Sequence, residues 1–409
     1  CYLGPEANRI PRAPLPEVKR QLDRIREWLG AGGNVQLTDG EVTLMPEPDL
    51  VELIRYARTI GLVPMVMTHG DSFRRRRGLL ERLMVAGGLS EVSLHVDTTQ
   101  RGRLGGLYRC ARREEELDSL RDELADLVRR ARRDTGRTLD VASTVTVTCE
   151  SLEGVPGIVR WMCRNADAFK MVSFQPIAPV GRTEEGLGGG VGVEELWANI
   201  AEGAWGDAGR APELLRHRGL FGHPACSRFV QGAVVSRAGE EPVFRPLFHP
   251  DDPRDAALAR EWYERFGGIT TRLDIKARAL ARIAGVVRSE PRLVFAKVLP
   301  FLARSLVRLD SERPLRFAAD WLRGRARIDY LNIVSHHFMS AADLATPLGR
   351  ERLGLCVFKV PIGERLVSMC EVNALGVRED FYAAVRSGHA VRSFAALPDP
   401  PAAGSGGGR

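Results

Sequence analysis

A regular alternation of short apolar segments and amphipathic segments over residues 16–177 constrains the fold of this chain more than any other feature. The apolar segments have the length of strands and begin near Val35, Leu62, Glu91, Leu139 and Lys170. Helical patterns lie near residues 16–29, 48–60, 72–86, 114–134 and 154–165. Strands that alternate with helices pair in parallel, because each helix carries the chain back to the start of the next strand. The pattern therefore predicts an α/β fold with a parallel sheet, open or closed.

The helical pattern is clearest in the fourth of these helical segments. Its apolar residues recur at helical spacing, and charged residues occupy the other faces. The apolar residues are Leu117, Leu120, Leu124, Leu127, Val128 and Ala131. The segment is therefore predicted to be an amphipathic helix.

The pattern changes after about residue 194. Helical stretches dominate up to Arg325, residues 328–334 and 357–360 have strand character, and residues 379–386 have helical character. Glycine is frequent in residues 181–192, as is typical of a linker, and the Pro/Ala/Gly composition of the tail is typical of disorder. We therefore predict a strand–helix domain over 1–182, a linker over 183–193, a mainly helical accessory domain over 194–397 and a disordered tail over 398–409.

A loop with a carboxylate follows the first predicted strand. Asp39-Gly40-Glu41 comes directly after the apolar residues that begin at Val35. In a repeating strand–helix chain the carboxyl ends of the strands are where α/β barrels keep their chemistry. Glu41 is therefore a candidate functional residue, although an acid in a surface turn has the same local pattern.

Two later strands each carry a polar face. Polar and apolar residues alternate there, as expected for a strand with two different faces. The polar positions are Ser93, His95 and Asp97 in the third strand and Thr144, Thr146 and Thr148 in the fourth. Threonine is also a good strand former, which explains the fourth strand equally well. His95 is predicted to be a hydrogen-bonded core histidine rather than a catalyst.

The first two residues and the first loop together carry a family resemblance. Cys1-Tyr2 opens the chain, and Asp39-Gly40-Glu41-Val42 follows the first strand. This pairing resembles the radical S-adenosylmethionine (radical SAM) superfamily, in which a C-x-x-x-C-x-x-C motif precedes a Gly-Gly-Glu-Pro motif. Here Asp39 stands in place of the first glycine and Val42 in place of the proline. The resemblance implies that Cys1 is the last motif cysteine, with the other two, and one strand, encoded before it.

The resemblance implies a fold, two cofactors and their ligands. The fold is a partial (β/α)6 TIM-like barrel, followed by the mainly α accessory domain. Cys1 binds a [4Fe-4S] cluster, and Gly40 and Glu41 contact the methionine ammonium of S-adenosylmethionine. Further contacts with this cofactor are implied for Asp97, Thr99, Thr144 and Thr146. The implied reaction is reductive cleavage of S-adenosylmethionine and hydrogen abstraction from a substrate, with electrons from a donor such as flavodoxin or ferredoxin.

Three further residues enter by a weaker likeness. Residues 65–70 resemble the family's third strand, which commonly ends in Thr-Asn-Gly, and His69 stands in place of the asparagine. Ser173 and Gln175 on the last strand are additional candidates for the pocket.

Cysteines beyond residue 194 resemble motifs in one branch of the superfamily. Cys226 lies in the segment 223–227, Cys370 lies in 369–373, and Cys356 precedes the second of these. The branch includes the tetraether lipid synthases and the archaeal pterin-methylating enzymes, so a lipid or pterin-like substrate is implied. The three cysteines are candidates for an auxiliary iron–sulfur site, and buried structural cysteines are the alternative. Cys110, Cys149 and Cys163 carry no motif and are predicted to be structural.

Cysteine usage and charge bear on compartment and partners. The seven cysteines are odd in number and scattered, which argues against a disulfide framework and for a reducing, cytoplasmic compartment. The net charge of +7 permits an anionic partner. No aromatic–basic interleaving points to nucleic acid, and none is expected. The arginine-rich residues 275–308 fit either a membrane-surface contact or a core-facing helix with arginine on its wet side.

A rival function from another class is a non-catalytic, basic α/β binding or scaffold protein with a degenerate barrel. The encoded sequence upstream of Cys1 discriminates the two. Cysteines three and seven positions before Cys1 are expected for the enzyme, and a chain with one of the three cluster ligands is expected to be inactive.

Overall fold

A nine-stranded sheet organises the described part of the chain. The computed structural model describes residues 9–38, 40–100, 106–178, 180, 190–219, 222–266, 285, 287–310 and 313–387. The strands are β1 (Asn34–Leu37), β2 (Val63–Thr68), β3 (Glu91–His95), β4 (Asp140–Val147), β5 (Met171–Pro176), β6 (Arg218–Gly219), β7 (Ser227–Arg237), β8 (Val243–Pro246) and β9 (Ala326–His336). Their order is β1-β2-β3-β4-β5-β9-β7-β6, with β8 paired to β7. A separate hairpin contains β10 (Lys359–Ile362) and β11 (Arg365–Ser368).

Helices connect these strands and cover one side of the sheet. Those before β5 are Leu15–Leu29, Glu47–Thr59, Asp71–Arg75, Leu79–Arg82, Gly106–Arg109, Asp118–Thr135 and Val155–Arg164. Those after β5 are Val193–Trp205, Ala211–Arg216, Pro253–Phe266, Pro291–Leu293, Leu299–Leu309, Pro314–Leu322, Ala341–Leu344, Pro347–Gly354, Met369–Ala374 and Val377–Arg386. One π-helical turn, Val294–Val298, joins two of these into a continuous helix over 291–309.

The parallel α/β expectation is confirmed for residues 34–176. Strands β1 to β5 pair in parallel in chain order, and each begins within about two residues of its predicted start. The order has two ends, β1 and β6, and no closure into a barrel is seen among the described strands. The coarser expectation, a mostly parallel sheet with helices, therefore holds.

A strand from far along the chain continues the parallel sheet. Met171–Phe174 of β5 pairs in parallel with Asn332–Ser335 of β9. Strand β7 then pairs antiparallel with β9 along its whole length. The sheet thus extends past the predicted linker at 183–193. The expectation that helices dominate up to Arg325 was wrong for β6, β7 and β8. The sequence of β7 includes a short unbroken apolar run, and such a run has no periodicity that distinguishes a helix from a strand.

The two faces of the parallel sheet differ in polarity. Alternate residues such as Val92, Leu94 and Phe174 are buried in the main hydrophobic core with the helices. The intervening positions carry polar side chains, including Ser93, Thr144 and Ser173. This alternation gives one apolar helix-covered face and one polar face.

No helix in the described segments is both long and apolar enough to cross a membrane.

Candidate functional site

Polar side chains gather where β1 to β4 end. Because parallel strands all end at the same edge of a sheet, the loops after them lie side by side. The residues found there include Glu41 after β1, His69 after β2, Asp97 after β3 and Thr146 near the end of β4. Glu41 and His69 form one hydrogen-bonded group, and Asp97 and Thr146 form another.

Glu41 is held by the ends of the first two strands. Gly40 precedes it with a φ of +80°, a backbone conformation that favours glycine. The Glu41 Oε1 atom accepts hydrogen bonds from Thr68 Oγ1 at 2.6 Å and from the backbone N and hydroxyl of Thr43. Its Oε2 atom accepts one from the His69 backbone N at 3.0 Å and lies 3.1 Å from His69 Nε2. The side chain is only 11% exposed.

The donors around Glu41 fill its capacity to accept hydrogen bonds. A carboxylate offers about four lone-pair positions, and Thr43, Thr68 and the His69 backbone donate four hydrogen bonds to them, with His69 Nε2 a further contact at 3.1 Å. His69 Nδ1 accepts from the Asp71 backbone N at 3.2 Å, so Nε2 is the ring atom that carries a proton beside Glu41. An additional cation reaches this carboxylate only where one of these donors moves. Of the side-chain donors, the hydroxyls of Thr43 and Thr68 belong to buried residues, so the His69 ring is the one that rotates away toward solvent most easily.

Asp97 is a buried carboxylate at the end of β3. Its Oδ1 accepts from the backbone N and hydroxyl of Thr99 at 2.8 and 2.6 Å. Its Oδ2 accepts from the Thr146 backbone N at 2.7 Å and lies 2.7 Å from His95 Nε2. Burial alone would raise the pKa of Asp97, but His95 and these hydrogen bonds outweigh it and hold the pKa well below its usual range. Both oxygens are engaged, so Asp97 positions His95 and the loop instead of presenting a free carboxylate.

The hydroxyl groups of β4 and β5 occupy the polar face of the sheet. Thr144 Oγ1 lies 2.8 Å from Ser93 Oγ, and Thr146 Oγ1 lies 3.1 Å from His95 Nε2. Ser173 sits beside Thr144 in the strand register. Among the described residues its buried Oγ has no hydrogen-bond partner. Because a buried hydroxyl without a partner is costly, Ser173 is the position on this face most in need of a ligand or water.

A second buried pair supports the loop after β3, and sequence reasoning missed it. Glu114 accepts from the backbone N and hydroxyl of Thr98, and it pairs with the buried Arg121. Arg121 also donates to the backbone oxygen of Val96. Burial raises the pKa of Glu114 despite this partner. The signal in the sequence was an acid and an arginine seven residues apart across a helix start, which surface charges share.

Three cysteines from separate elements converge in the carboxyl-terminal part. Cys226 Sγ accepts from Arg352 Nε at 3.1 Å, and Cys370 Sγ accepts from the Met339 backbone N. Burial raises the pKa of Cys370 to about 11, and the neighbouring thiols of Cys356 and Cys226 add to the rise. Burial also raises the pKa of Cys356, with a contribution from Cys226. The three thiols are near enough to raise one another's pKa, and their role as ligands of one cluster stays a prediction.

No three His, Cys, Asp or Glu side chains in the described residues are placed to hold a single metal ion. An iron–sulfur cluster is larger than one ion, so the cysteines that hold it stand farther apart than ligands of a single ion. Cys1 and Asp39 lie outside the described residues.

Comparison with known proteins gives one weak similarity to an enzyme. Over 180 residues the chain is 24% identical to the 7,8-dihydro-6-hydroxymethylpterin dimethyltransferase of Methanocaldococcus jannaschii. The match covers 44% of this chain and 33% of that protein, so this chain spans about a third of its relative. No protein-family model matches. The chain is thus distantly similar to a methyltransferase.

Proposed function

We propose that the strand ends at Glu41, His69, His95 and Thr146 bind S-adenosylmethionine in a radical SAM enzyme. The observation that carries the proposal is the position of Glu41: a buried carboxylate directly after β1, next to the end of β2. The similarity to a pterin dimethyltransferase points to the same branch as the cysteine motifs. The substrate class we favour is a lipid or a pterin-like molecule.

The residues of this edge fit S-adenosylmethionine by charge and hydrogen-bonding type. A carboxylate suits the methionine ammonium of the cofactor. The hydroxyls of Thr146 and Ser173 suit a polar ribose or adenine. Asp97 and Thr99 hold the loop after β3, and Thr144 is engaged with Ser93. When bound, S-adenosylmethionine supplies the 5′-deoxyadenosyl group that abstracts hydrogen.

His69 is the residue that we infer must move for the cofactor to bind. Its Nε2 lies where a cation would approach Glu41 Oε2. The side chain of His69 is 14% exposed, so rotation brings it toward solvent without opening the core. The exchange replaces the ring contact by a charge-assisted hydrogen bond from the methionine ammonium to Glu41.

The remaining parts of the proposal concern the cluster and its supply. Cys1 would be one of the thiolates that hold the [4Fe-4S] cluster that reduces S-adenosylmethionine. A flavodoxin or ferredoxin would provide the electron, in the cytoplasm, where thiols stay reduced.

The test compares Glu41→Gln with wild type, both expressed as the full encoded protein and reconstituted without oxygen. Losing the charge at Glu41 should weaken S-adenosylmethionine binding by roughly ten- to a hundredfold, since a charge-assisted hydrogen bond contributes about 1.5–3 kcal/mol. Calorimetry measures the affinity, and iron analysis verifies that the cluster is retained. Glu52→Gln, an exposed partner of Lys19, is the matched control. Equal affinity in wild type and Glu41→Gln removes Glu41 from the site. A second variant, Asp39→Gly, should leave S-adenosylmethionine affinity unchanged or raise it slightly.

One observation favours the rival, non-catalytic function. Glu41 is already saturated by protein donors and caps the 3₁₀ turn Val42–Leu44, as a purely structural acid would. On that alternative Glu41→Gln lowers the free energy of unfolding, and the wild-type protein does not bind S-adenosylmethionine. His69→Ala separates the two: it should tighten cofactor binding if the ring competes with the ammonium, and change only stability otherwise.

We further propose that Cys226, Cys356 and Cys370 hold an auxiliary iron–sulfur cluster. The raised pKa values of Cys356 and Cys370 keep these thiols protonated at neutral pH, so cluster assembly must release protons. Substitution of Cys226 leaves Cys1 unchanged, so iron and sulfide lost on that substitution report the second site.

The test of the auxiliary site is reconstitution of the chain as printed. Wild type should retain a cluster, and Cys226→Ser should lose it, because a cluster with fewer thiolates is labile. Cys110→Ser, at an exposed cysteine, is the control and should keep it. Equal iron content in wild type and Cys226→Ser contradicts the site.

A further inference from the structure

From residue 295 onward, the continuous helix over 291–309 has its polar side chains on the inner side. Arg304 donates to Asp255 at 2.7 Å, and Arg308 pairs with both Asp255 and Asp252. Asp255 is fully buried, and the two arginine side chains are each 19% exposed. Lys297 pairs with Glu261. Lys297, Arg304 and Arg308 therefore point toward the helix Pro253–Phe266.

From residue 295 onward the outer side of the same helix is apolar, and Arg292 in its first turn is the exposed charged residue. Every exposed residue between 295 and 309 is apolar: Phe295, Ala296, Leu299, Pro300, Leu302, Ala303 and Val307. Phe295 is 62% exposed and Leu302 is 54% exposed. At helical spacing these residues fall on one side of the helix. A continuous exposed apolar face of this kind marks a binding surface, since single scattered apolar residues do not produce it.

The next helix extends this apolar surface. Pro314–Leu322 presents Leu315, Trp321 and Leu322 to solvent, with Leu315 86% and Leu322 79% exposed. Both helices are fixed to the sheet through Leu309 and Phe317, which pack in one core with β7 and β9. We call the exposed apolar residues of 295–307 and 315–322 the outer face.

Arginines surround the outer face. Exposed arginines in the described residues from 285 to 327 are Arg288, Arg292, Arg313, Arg316, Arg323, Arg325 and Arg327. The acidic residues in the same described part of the chain are Glu290, Asp310 and Asp320, and all three are half-buried. We call these arginines the rim. Arg316 lies 4.0 Å from Asp320 and Arg327 pairs with Asp329, and with seven arginines the rim keeps a net positive charge beside the apolar surface.

We propose that the outer face binds the surface of an anionic lipid membrane, with its leucines and Trp321 in the acyl–headgroup boundary and the arginines on the lipid phosphates. An apolar helix face with basic residues beside it and tryptophan at its margin is the arrangement of interfacial helices. A second copy of this chain fits less well, because two such faces in symmetric contact would bring two arginine rims together. The inference does not depend on cluster or cofactor binding.

The test is cosedimentation with vesicles of phosphatidylglycerol and phosphatidylcholine. Wild-type protein should bind vesicles rich in phosphatidylglycerol and lose binding as salt rises. Leu299→Asp/Leu302→Asp should weaken vesicle binding by roughly tenfold or more. Both changes remove apolar surface from the interface and add a negative charge that the anionic lipid repels. Arg316→Ala/Arg323→Ala should weaken binding about fivefold per arginine.

Matched controls keep this test independent of folding. Val85→Asp/Leu348→Asp changes two residues of similar exposure outside the outer face, and its binding should equal that of wild type. As a second readout, brominated acyl chains should quench wild-type tryptophan fluorescence, and Trp321→Phe should reduce that quenching. Failure of wild type to bind, or equal binding to phosphatidylcholine, overturns the proposal. So does a wild-type dimer that Leu299→Asp/Leu302→Asp converts to monomer, which would assign the face to a second copy.

Discussion

Two amphipathic helices of this protein turn opposite faces toward the protein interior. In Asp118–Thr135 the leucines are buried against the sheet and most of the charged residues face water. In the helix over 291–309, Arg304 and Arg308 pair with the buried Asp255, and every exposed residue from 295 to 309 is apolar. Both have a strong difference between two faces. The comparison teaches that helical periodicity predicts two faces, and that contacts distant in sequence decide which one is inside.

The orientation of the helix over 291–309 is set by a residue outside that helix. Asp255, in the first turn of Pro253–Phe266, is buried and provides the partner for Arg304 and Arg308. Asp118–Thr135 instead packs on the apolar side of β3 and β4 within the main core. Of the two alternatives for residues 275–308, a core-facing helix with arginine on its wet side is wrong for 295–308.

The largest loss of stability is expected from removing Asp255, the fully buried acid that pairs with Arg304 and Arg308. Asp255→Ala leaves these two arginines only Asp252, which should lower the free energy of unfolding by about 3–5 kcal/mol. Urea denaturation measures it. Asp126→Ala, at an exposed acid paired with Arg129 on the other helix, should cost about 0.5 kcal/mol or less. Similar losses for both variants would mean that Arg304 and Arg308 are not held by Asp255.

A pair of leucine truncations contrasts the two helices directly. Leu124→Ala opens a cavity in the core and should cost about 2–5 kcal/mol. Leu302→Ala removes an exposed side chain and should change stability by less than about 0.5 kcal/mol. The same urea titrations decide this. A cost at Leu302 as large as that at Leu124 would place the outer face in a core.

Acid should weaken the carboxyl-terminal region through His336, the smallest of these effects. His336 is buried beside Ser227 and Phe358, and burial lowers its pKa to about 4. An unfolded histidine takes up its proton near about pH 6.5. Between these values the unfolded state binds more protons, so stability falls as pH falls from about 6.5 to 4. The loss from pH 7 to pH 5 should be about 2 kcal/mol for this residue, and His336→Gln should reduce it by that amount. An unchanged pH dependence in His336→Gln would assign the acid sensitivity elsewhere.

Much of the parallel sheet was predictable because its information is local. The apolar runs beginning near Val35, Leu62, Glu91, Leu139 and Lys170 each became a strand. The neighbours of Glu41 were only partly predictable: the resemblance drew attention to His69, but not to its hydrogen bond with the carboxylate. Strand β7 and the pairing of Arg121 with Glu114 depend on partners that no local pattern reveals.

The parallel pairing of β5 with β9 has a consequence for synthesis on the ribosome. Strands β1 to β5 leave the ribosome in order and each finds its neighbour at once, whereas the free edge of β5 waits until Asn332–Ser335 has been made. Closing so long a loop is slow, and an apolar strand edge left open invites pairing with other chains. A nascent chain arrested between Pro176 and Ala326 is therefore the form of this protein that we expect to aggregate, and the one for which chaperones matter most.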